Sequence, residues 1–259
     1  MAEISVLLDG QPVRTKQGVV GFCSIVLVEG ERRVLVDVGH VGRRTALQAA
    51  LEERRLRPSE IDCVVVTHAH WDHSQNLDLF PDAEILIHPL ERRYAGRPHR
   101  NDWATPGWSG AMIEFQKSIT EVEEGYEIEP GVRVLYTPGH SPGSICVAVE
   151  GKQGLSVVTG DVLHFSSVAL SKVNPIVFWS EAEASASIER ILTMADMIYP
   201  GHDRPFRIVD GEVVYASPMR LSIVGVGPDT PGVEFDLNPA PRFVMQGIEE
   251  QSLDALADG

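Results

Sequence analysis

Thr67-His68-Ala69-His70-Trp71-Asp72-His73 follows directly on the apolar run Ile61-Asp62-Cys63-Val64-Val65-Val66. That run is short and β-branched, which predicts a buried strand over 61–66. Extended backbone places residues i and i+2 on one side, so His68 and His70 can reach the same point. Asp72 and His73 come where the chain must turn toward a short helix near 75–79, and the turn carries them to a second point close by. Trp71 should face the other way, into packing. Three imidazoles and a carboxylate at one strand end are costly to bury and serve no packing purpose; their chemistry is that of metal ligation.

Working outward, the same kind of placement recurs. His140 lies in Tyr136-Thr137-Pro138-Gly139-His140-Ser141-Pro142-Gly143, Asp161 ends Thr159-Gly160-Asp161, and His202 lies in Tyr199-Pro200-Gly201-His202. Each follows an apolar run, where a strand would deliver a side chain to a shared edge. Two segments also repeat one pattern. Residues 24–30 lead through a Glu-Gly turn into 34–37, and residues 144–151 lead through another into 155–161, each second run ending on an aspartate. Both read as hairpins, so two similar halves are expected. Apolar residues at i, i+3 and i+4 predict helices over 43–56 and 181–195. Further strands are expected at 84–88, 132–136, 197–199 and 206–216, and a long loop at 95–110. Helices alternating with mostly hydrophobic strands indicate a layered α/β fold. No linker-like tract interrupts the chain, which predicts one domain over 1–259, with the chemistry in 37–205 and strands plus an acidic tail in 206–259.

The 259 residues carry a formal charge of -15, 43% are hydrophobic, and the sequence pI is about 5.0. A net-acidic surface disfavours loose binding of nucleic acid or anionic membrane. Arg92, Arg93, Arg97 and Arg100 form a candidate local basic patch, expected as a solvated loop. No apolar stretch approaches the ~18 residues of a membrane span, and Met1-Ala2-Glu3-Ile4 does not open like a secretory leader. Cys23, Cys63 and Cys146 each sit in an apolar run, as reduced thiols of a cytoplasmic protein would.

The six-residue motif from His68 to His73, followed by Gly-His140, Gly-Asp161 and Gly-His202, resembles the metallo-β-lactamase superfamily of metallohydrolases over roughly residues 20–205. The resemblance implies a four-layer αβ/βα sandwich of two similar halves. Carried over position by position, it implies a first metal on His68, His70 and His140, a second on Asp72, His73 and His202, and Asp161 bridging them. Asp37 matches a structural aspartate that supports the site. Neutral imidazoles with two carboxylates suit two divalent ions, zinc foremost, with manganese or iron also accepted. A hydroxide between the ions would be the nucleophile, with Asp72 orienting it and carrying its proton to the leaving group.

Branches within the resemblance separate on what this chain contains. The 40 residues between Asp161 and His202 are too few for the inserted domain of the nucleases that process messenger RNA. Glyoxalase-II-like thioesterases add a helical domain, and exported β-lactamases an export signal. The expected activity is therefore hydrolysis of an ester or lactone of a small molecule. The alternatives are phosphodiester cleavage of RNA through the Arg92–Arg100 run and a mononuclear iron dioxygenase of the persulfide type. Acyl-homoserine lactonases carry a tyrosine three residues beyond the bridging aspartate; His164 stands there, where it can hydrogen-bond a developing oxyanion or fill the core. His40, His88 and His99 are expected to be structural. Trp103, Trp108, Phe178 and Trp179 are candidates for an apolar pocket wall, in specificity loops at 95–110 and 165–180. An exposed apolar strand within 213–226 is a candidate dimer edge.

Overall fold

A computed structural model describes residues 2–15, 18–19, 21–152, 154–227, 229–234, 241–253 and 256. Two twisted sheets lie face to face. The first runs, edge to edge, Glu3–Leu8, Ile25–Glu29, Arg33–Val36, Cys63–Val65, Glu84–Ile87 and Ile119–Glu121. The second runs Glu212–Tyr215, Phe206–Val209, Met197–Pro200, Gly154–Gly160, Ile145–Gly151, Val132–Tyr136 and Glu127–Glu129.

Each half is built on one plan. An antiparallel hairpin (Ile25–Glu29 with Arg33–Val36, or Ile145–Gly151 with Gly154–Gly160) leads through a helix to a strand parallel to the hairpin's second arm. In the first half the helix is α1 (Arg44–Glu53) and the strand Cys63–Val65; in the second they are a longer helix, Glu181–Met194, and Met197–Pro200. Strand alternation then sorts the side chains. Ile25, Leu27, Leu35 and Val64 point outward to Leu47 and Leu51 of α1. Val26, Val28, Val34 and Val36 point inward against Val134, Ile145, Val147 and Val149 of the other sheet. Cys146, Ala148, Val157 and Ile198 point outward to Ile188 and Ile191 of the second-half helix. Three apolar layers between four structural ones give the expected αβ/βα sandwich. Strands buried on both faces explain why they read as continuous apolar runs rather than alternating ones.

Several local expectations need correction. The strand over 206–216 is a hairpin, because Asp210 and Gly211 both take positive φ (52° and 80°) and turn the chain in two residues. The apolar stretch 213–226 is a strand only to Tyr215; beyond it Leu221, Ile223, Val224 and Val226 are exposed in irregular chain. The short helix expected near 75–79 starts earlier, as α2 (Trp71–Ser74), with a 3-10 turn at Leu77–Leu79. The loop predicted over 95–110 is bracketed by α3 (Pro89–Gly96) and α4 (Ser109–Glu114). Pro89 at the first helical position and His88, whose Nδ1 accepts from the Leu90 amide, start α3. Two further helices are α5 (Ser166–Ser171) and α6 (Glu181–Met194). Among the described residues, no helix is long and apolar enough to cross a membrane.

Candidate metal centre

The motif strand stops at Val65, and Thr67 to His73 cross the sheet edge where Thr137–Ser144, Gly160–Asp161 and Pro200–His202 also emerge. The residues singled out in the sequence meet there in two buried groups. One is His68, His70, His140 and Asp161; the other is Asp72, His73 and His202; within each, the potential ligand atoms lie within 4.8 Å of one another.

Asp161 stands between them. Its Oδ1 is 3.2 Å from His202 Nε2 and 3.3 Å from His73 Nε2. Its Oδ2 is 3.5 Å from His140 Nε2 and 3.9 Å from His68 Nε2. Asp72 Oδ2 lies 3.4 Å from His202 Nε2 and 3.8 Å from His73 Nε2. Gly201 permits the approach, since a Cβ there would strike the Asp161 carboxylate.

The tautomers are set from behind. Asp37, at positive φ (58°), accepts from the Thr67 amide at 2.9 Å and the Thr67 hydroxyl at 2.8 Å, and lies 2.7 Å from His73 Nδ1. With its proton on Asp37, the Thr67 hydroxyl can only accept from His68 Nδ1, 3.0 Å away. His140 Nδ1 donates to the Ile176 carbonyl at 2.7 Å. In the neutral form of each ring the δ proton is spent, which leaves the Nε2 lone pair turned to the centre. His70 instead presents Nδ1, 3.0 Å from His140 Nε2, while its Nε2 lies 4.0 Å from Asp102 Oδ2.

This set fits divalent ions. His68 Nε2, His73 Nε2 and Asp161 Oδ1 are buried without a hydrogen-bond partner, an arrangement that costs a folded protein energy unless something binds there. Burial, reinforced by the neighbouring imidazoles, holds His68 and His140 well below the usual histidine range, and burial pushes His70 down to about 3. These rings are neutral donors. Burial works against the Asp161 carboxylate, but His164, His202 and His73 outweigh it and hold its pKa well below the usual value, so it is ionised.

A narrow cleft of about 50 Å³ opens onto the centre, and its lining includes Pro12, Val13, Trp71, Trp103, Phe165, Ile176 and Phe178. Trp71 packs, as expected, against the cluster of Ala104, Ile176, Phe178 and Met245, but it also lines the cleft and meets the edge of His40. Of the aromatic candidates, Trp103 and Phe178 line the cleft and touch each other, 5.4 Å between ring centres. Trp108 caps α4 at the surface, and Trp179 turns toward Tyr94. His164 is buried beside the centre, its Nε2 2.9 Å from Asp161 Oδ2. His40, His88 and His99 each accept a backbone amide at Nδ1, a structural use. Two members of the basic run are engaged by carboxylates: Arg92 pairs with Glu114 and Glu121, and Arg100 with Glu250. Arg92 and Arg93 lie on α3, not in a loop. The three cysteines are buried and unpaired, and burial raises the Cys63 and Cys146 thiols to about 12.

Two supporting residues escaped the sequence reading. Asp102 accepts from Tyr94 Oη at 3.0 Å and from the Ala104 and Thr105 amides, and carries no local motif. Glu91 follows His88-Pro89 at the third helical position, where it looks like an ordinary first-turn acid.

The model of the metallo-beta-lactamase superfamily matches residues 18–202. The chain belongs to that superfamily. It is 33% identical over 187 residues to metallo-beta-lactamase domain-containing protein 1 of Xenopus laevis, covering 72% of each chain, and its match to the human protein of that name spans 60% of the latter's length. It is 27% identical over 150 residues to an N-acyl homoserine lactonase of Bacillus thuringiensis, 56% of this chain and 57% of that one. The dizinc quorum-quenching lactonase AidC shares the fold, with a TM-score of 0.61 at 18% identity over 76% of this chain and 80% of that one. Members of this metallo-beta-lactamase superfamily are generally hydrolases, and this one carries the metal-binding His/Asp cluster.

Proposed function

We propose that this metallo-beta-lactamase superfamily chain is a dinuclear metal hydrolase that opens an ester or lactone of a small molecule. The observation that carries the reading is Asp161, with one carboxylate oxygen toward each histidine group. His68, His70 and His140 would hold one divalent ion, Asp72, His73 and His202 the other, with Asp161 shared. Neutral imidazoles and carboxylates favour zinc, and a full second group argues against a single-iron oxygenase. When bound, the ions would polarise the carbonyl oxygen and lower the pKa of the attacking water.

The chain's own residues do the rest. Asp72, ionisable and at the cleft floor, is placed to take the attacking water's proton and return it to the alkoxide leaving group. His164, whose Nε2 lies 2.9 Å from Asp161 Oδ2, lines the cleft, where its one N–H would turn from Asp161 to the developing oxyanion. Trp71, Trp103, Phe165 and Phe178 exclude bulk water and offer an apolar face to the acyl or ring portion. The Bacillus relative's lactonase name supports a lactone among the candidate substrates. RNA cleavage is disfavoured, since Arg92 and Arg100 are engaged by glutamates. We further read residues 1–259 as one catalytic unit acting in the cytoplasm, consistent with its buried free thiols, and capable of pairing through the edge strand Glu212–Tyr215.

The test is metal content per chain by mass spectrometry on protein purified without added metal or chelator, followed by hydrolysis of a panel of lactones, esters and phosphodiesters. Two zinc or manganese ions per chain with turnover of lactones or esters is expected. A single iron with oxygen consumption on thiol substrates overturns the reading.

A further inference from the structure

Glu91 is fully buried on α3, outside both donor groups. An acid at the third position of a helix ordinarily turns back to its own first amides. Here the cap is served by His88, and the Glu91 carboxylate reaches sideways instead. Oε1 accepts from the Ala69 amide at 2.7 Å, between His68 and His70. Oε2 accepts from the Ser141 hydroxyl at 2.7 Å and the Gly143 amide at 2.9 Å, next to His140. One side chain thus ties together the two loops that supply the first histidine group. The second observation is independent: a Cβ on Gly143 would fall on the Glu91 backbone, so the His140 loop is seated directly against α3.

We propose that Glu91 is a positioning residue that sets the spacing of the His68–His70 and His140 loops, and so selects the affinity of the first metal position over the second. This rests on the dinuclear reading above. All three partners donate, so only a carboxylate satisfies them; a carboxamide at the same place turns an NH2 toward an N–H and leaves a buried amide unpaired. The second group is held separately, through Asp37 on His73, and does not touch Glu91.

The experiment is a cobalt(II) titration against a competing chelator, followed by d–d absorption, on wild type, Glu91→Gln, Glu91→Asp and Gly143→Ala, with thermal melts of the metal-free proteins. For wild type, two bound cobalt ions are expected, with distinguishable spectra for the three-histidine and the Asp/His/His positions. Glu91→Gln should weaken the three-histidine position about 10- to 100-fold, the usual effect of losing a supporting partner, while leaving the other within about threefold. Gly143→Ala should do the same without altering any charge, and Glu91→Asp, which keeps the acceptor pair on a shorter stem, should recover part of the loss. If wild type binds two ions and Glu91→Gln weakens neither or both equally, the positioning role is overturned while the dinuclear reading stands. If wild type itself binds fewer than two, the reading beneath it fails instead. Should Glu91→Gln melt before titration, Gly143→Ala and Glu91→Asp decide on the same criterion.

Discussion

The floor and the walls of the cleft are held by different means. On the floor, the candidate donors leave strand ends or the turns and short helix directly after them and are buried, and His68, His73 and His140 each have their second nitrogen engaged, by Thr67, Asp37 and a backbone carbonyl respectively. The walls come from separate segments, among them Pro12–Val13, Trp71, Trp103 before α4 and Ile176–Phe178 before α6, and Phe243–Met245 pack behind the last two. A two-residue parallel pairing of Ile176–Val177 with Phe243–Val244 and the bond from Asn101 Nδ2 to the Gln246 carbonyl join them. Trp103 remains half exposed. The fold therefore fixes where the chemistry happens, while short, weakly tied segments fix what enters.

If that division is right, substitutions on the floor should cost turnover far more than substitutions on the walls. The largest effect is expected for His68→Ala, which removes a ligand from the first group: activity should fall to background and metal content by about one ion per chain. Full turnover with unchanged metal content would break the assignment. Asp72→Asn comes next. It keeps a donor oxygen near the second group but cannot carry a proton, so kcat should drop by about 10²- to 10⁴-fold with metal content largely retained, as steady-state kinetics and metal analysis on the same sample would show. His164→Gln should be milder, about tenfold in kcat, on the order of 1.4 kcal/mol of barrier. That variant sharpens the comparison, because a loss as deep as that of Asp72→Asn would move His164 into the reacting centre, and no loss would leave it a packing residue.

The same contrast explains what was legible in the sequence. Val64, Leu35 and Val147 sit in short, β-branched apolar runs that announce a strand, and His68, His140, Asp161 and His202 stand where such runs stop, so strand ends and donors could be read together. The two hairpins were legible because their turns lie within the run. Glu91 and Asp102 were not, because nothing near them in sequence distinguishes a first-turn acid or a loop aspartate from a solvated one. Their role exists only once α3 and the 99–105 loop are laid against the motif from Ala69 to His73. Trp71 packs as expected, but its place in the cleft lining was not legible: extended alternation sends it away from His70, whereas the chain is already helical at Trp71 and the alternation no longer applies. The split of 206–216 into a hairpin hinged on two consecutive positive φ values, a property that Asp-Gly favours but that the apolar residues around it obscured.

The smallest effect is expected at the wall, and it is the one that tests whether specificity is separable from chemistry. Phe243 meets Phe178 at a tilt and Trp103 edge-on, with ring centres 5.2 Å and 5.8 Å away, yet belongs to a segment beyond the family match at residue 202. It is partly buried and touches none of the candidate donors, so Phe243→Ala should leave metal content and the kcat for a short-chain substrate within about twofold. Its loss removes one face from the aromatic cluster, worth about 0.5–1.5 kcal/mol per ring pair beyond area. KM for a bulky acyl or aromatic substrate should accordingly rise about threefold to tenfold while KM for a small one stays put. A uniform fall in kcat across substrate sizes would mean that the late segment braces the floor as well, and the division between the two regions would have to be withdrawn.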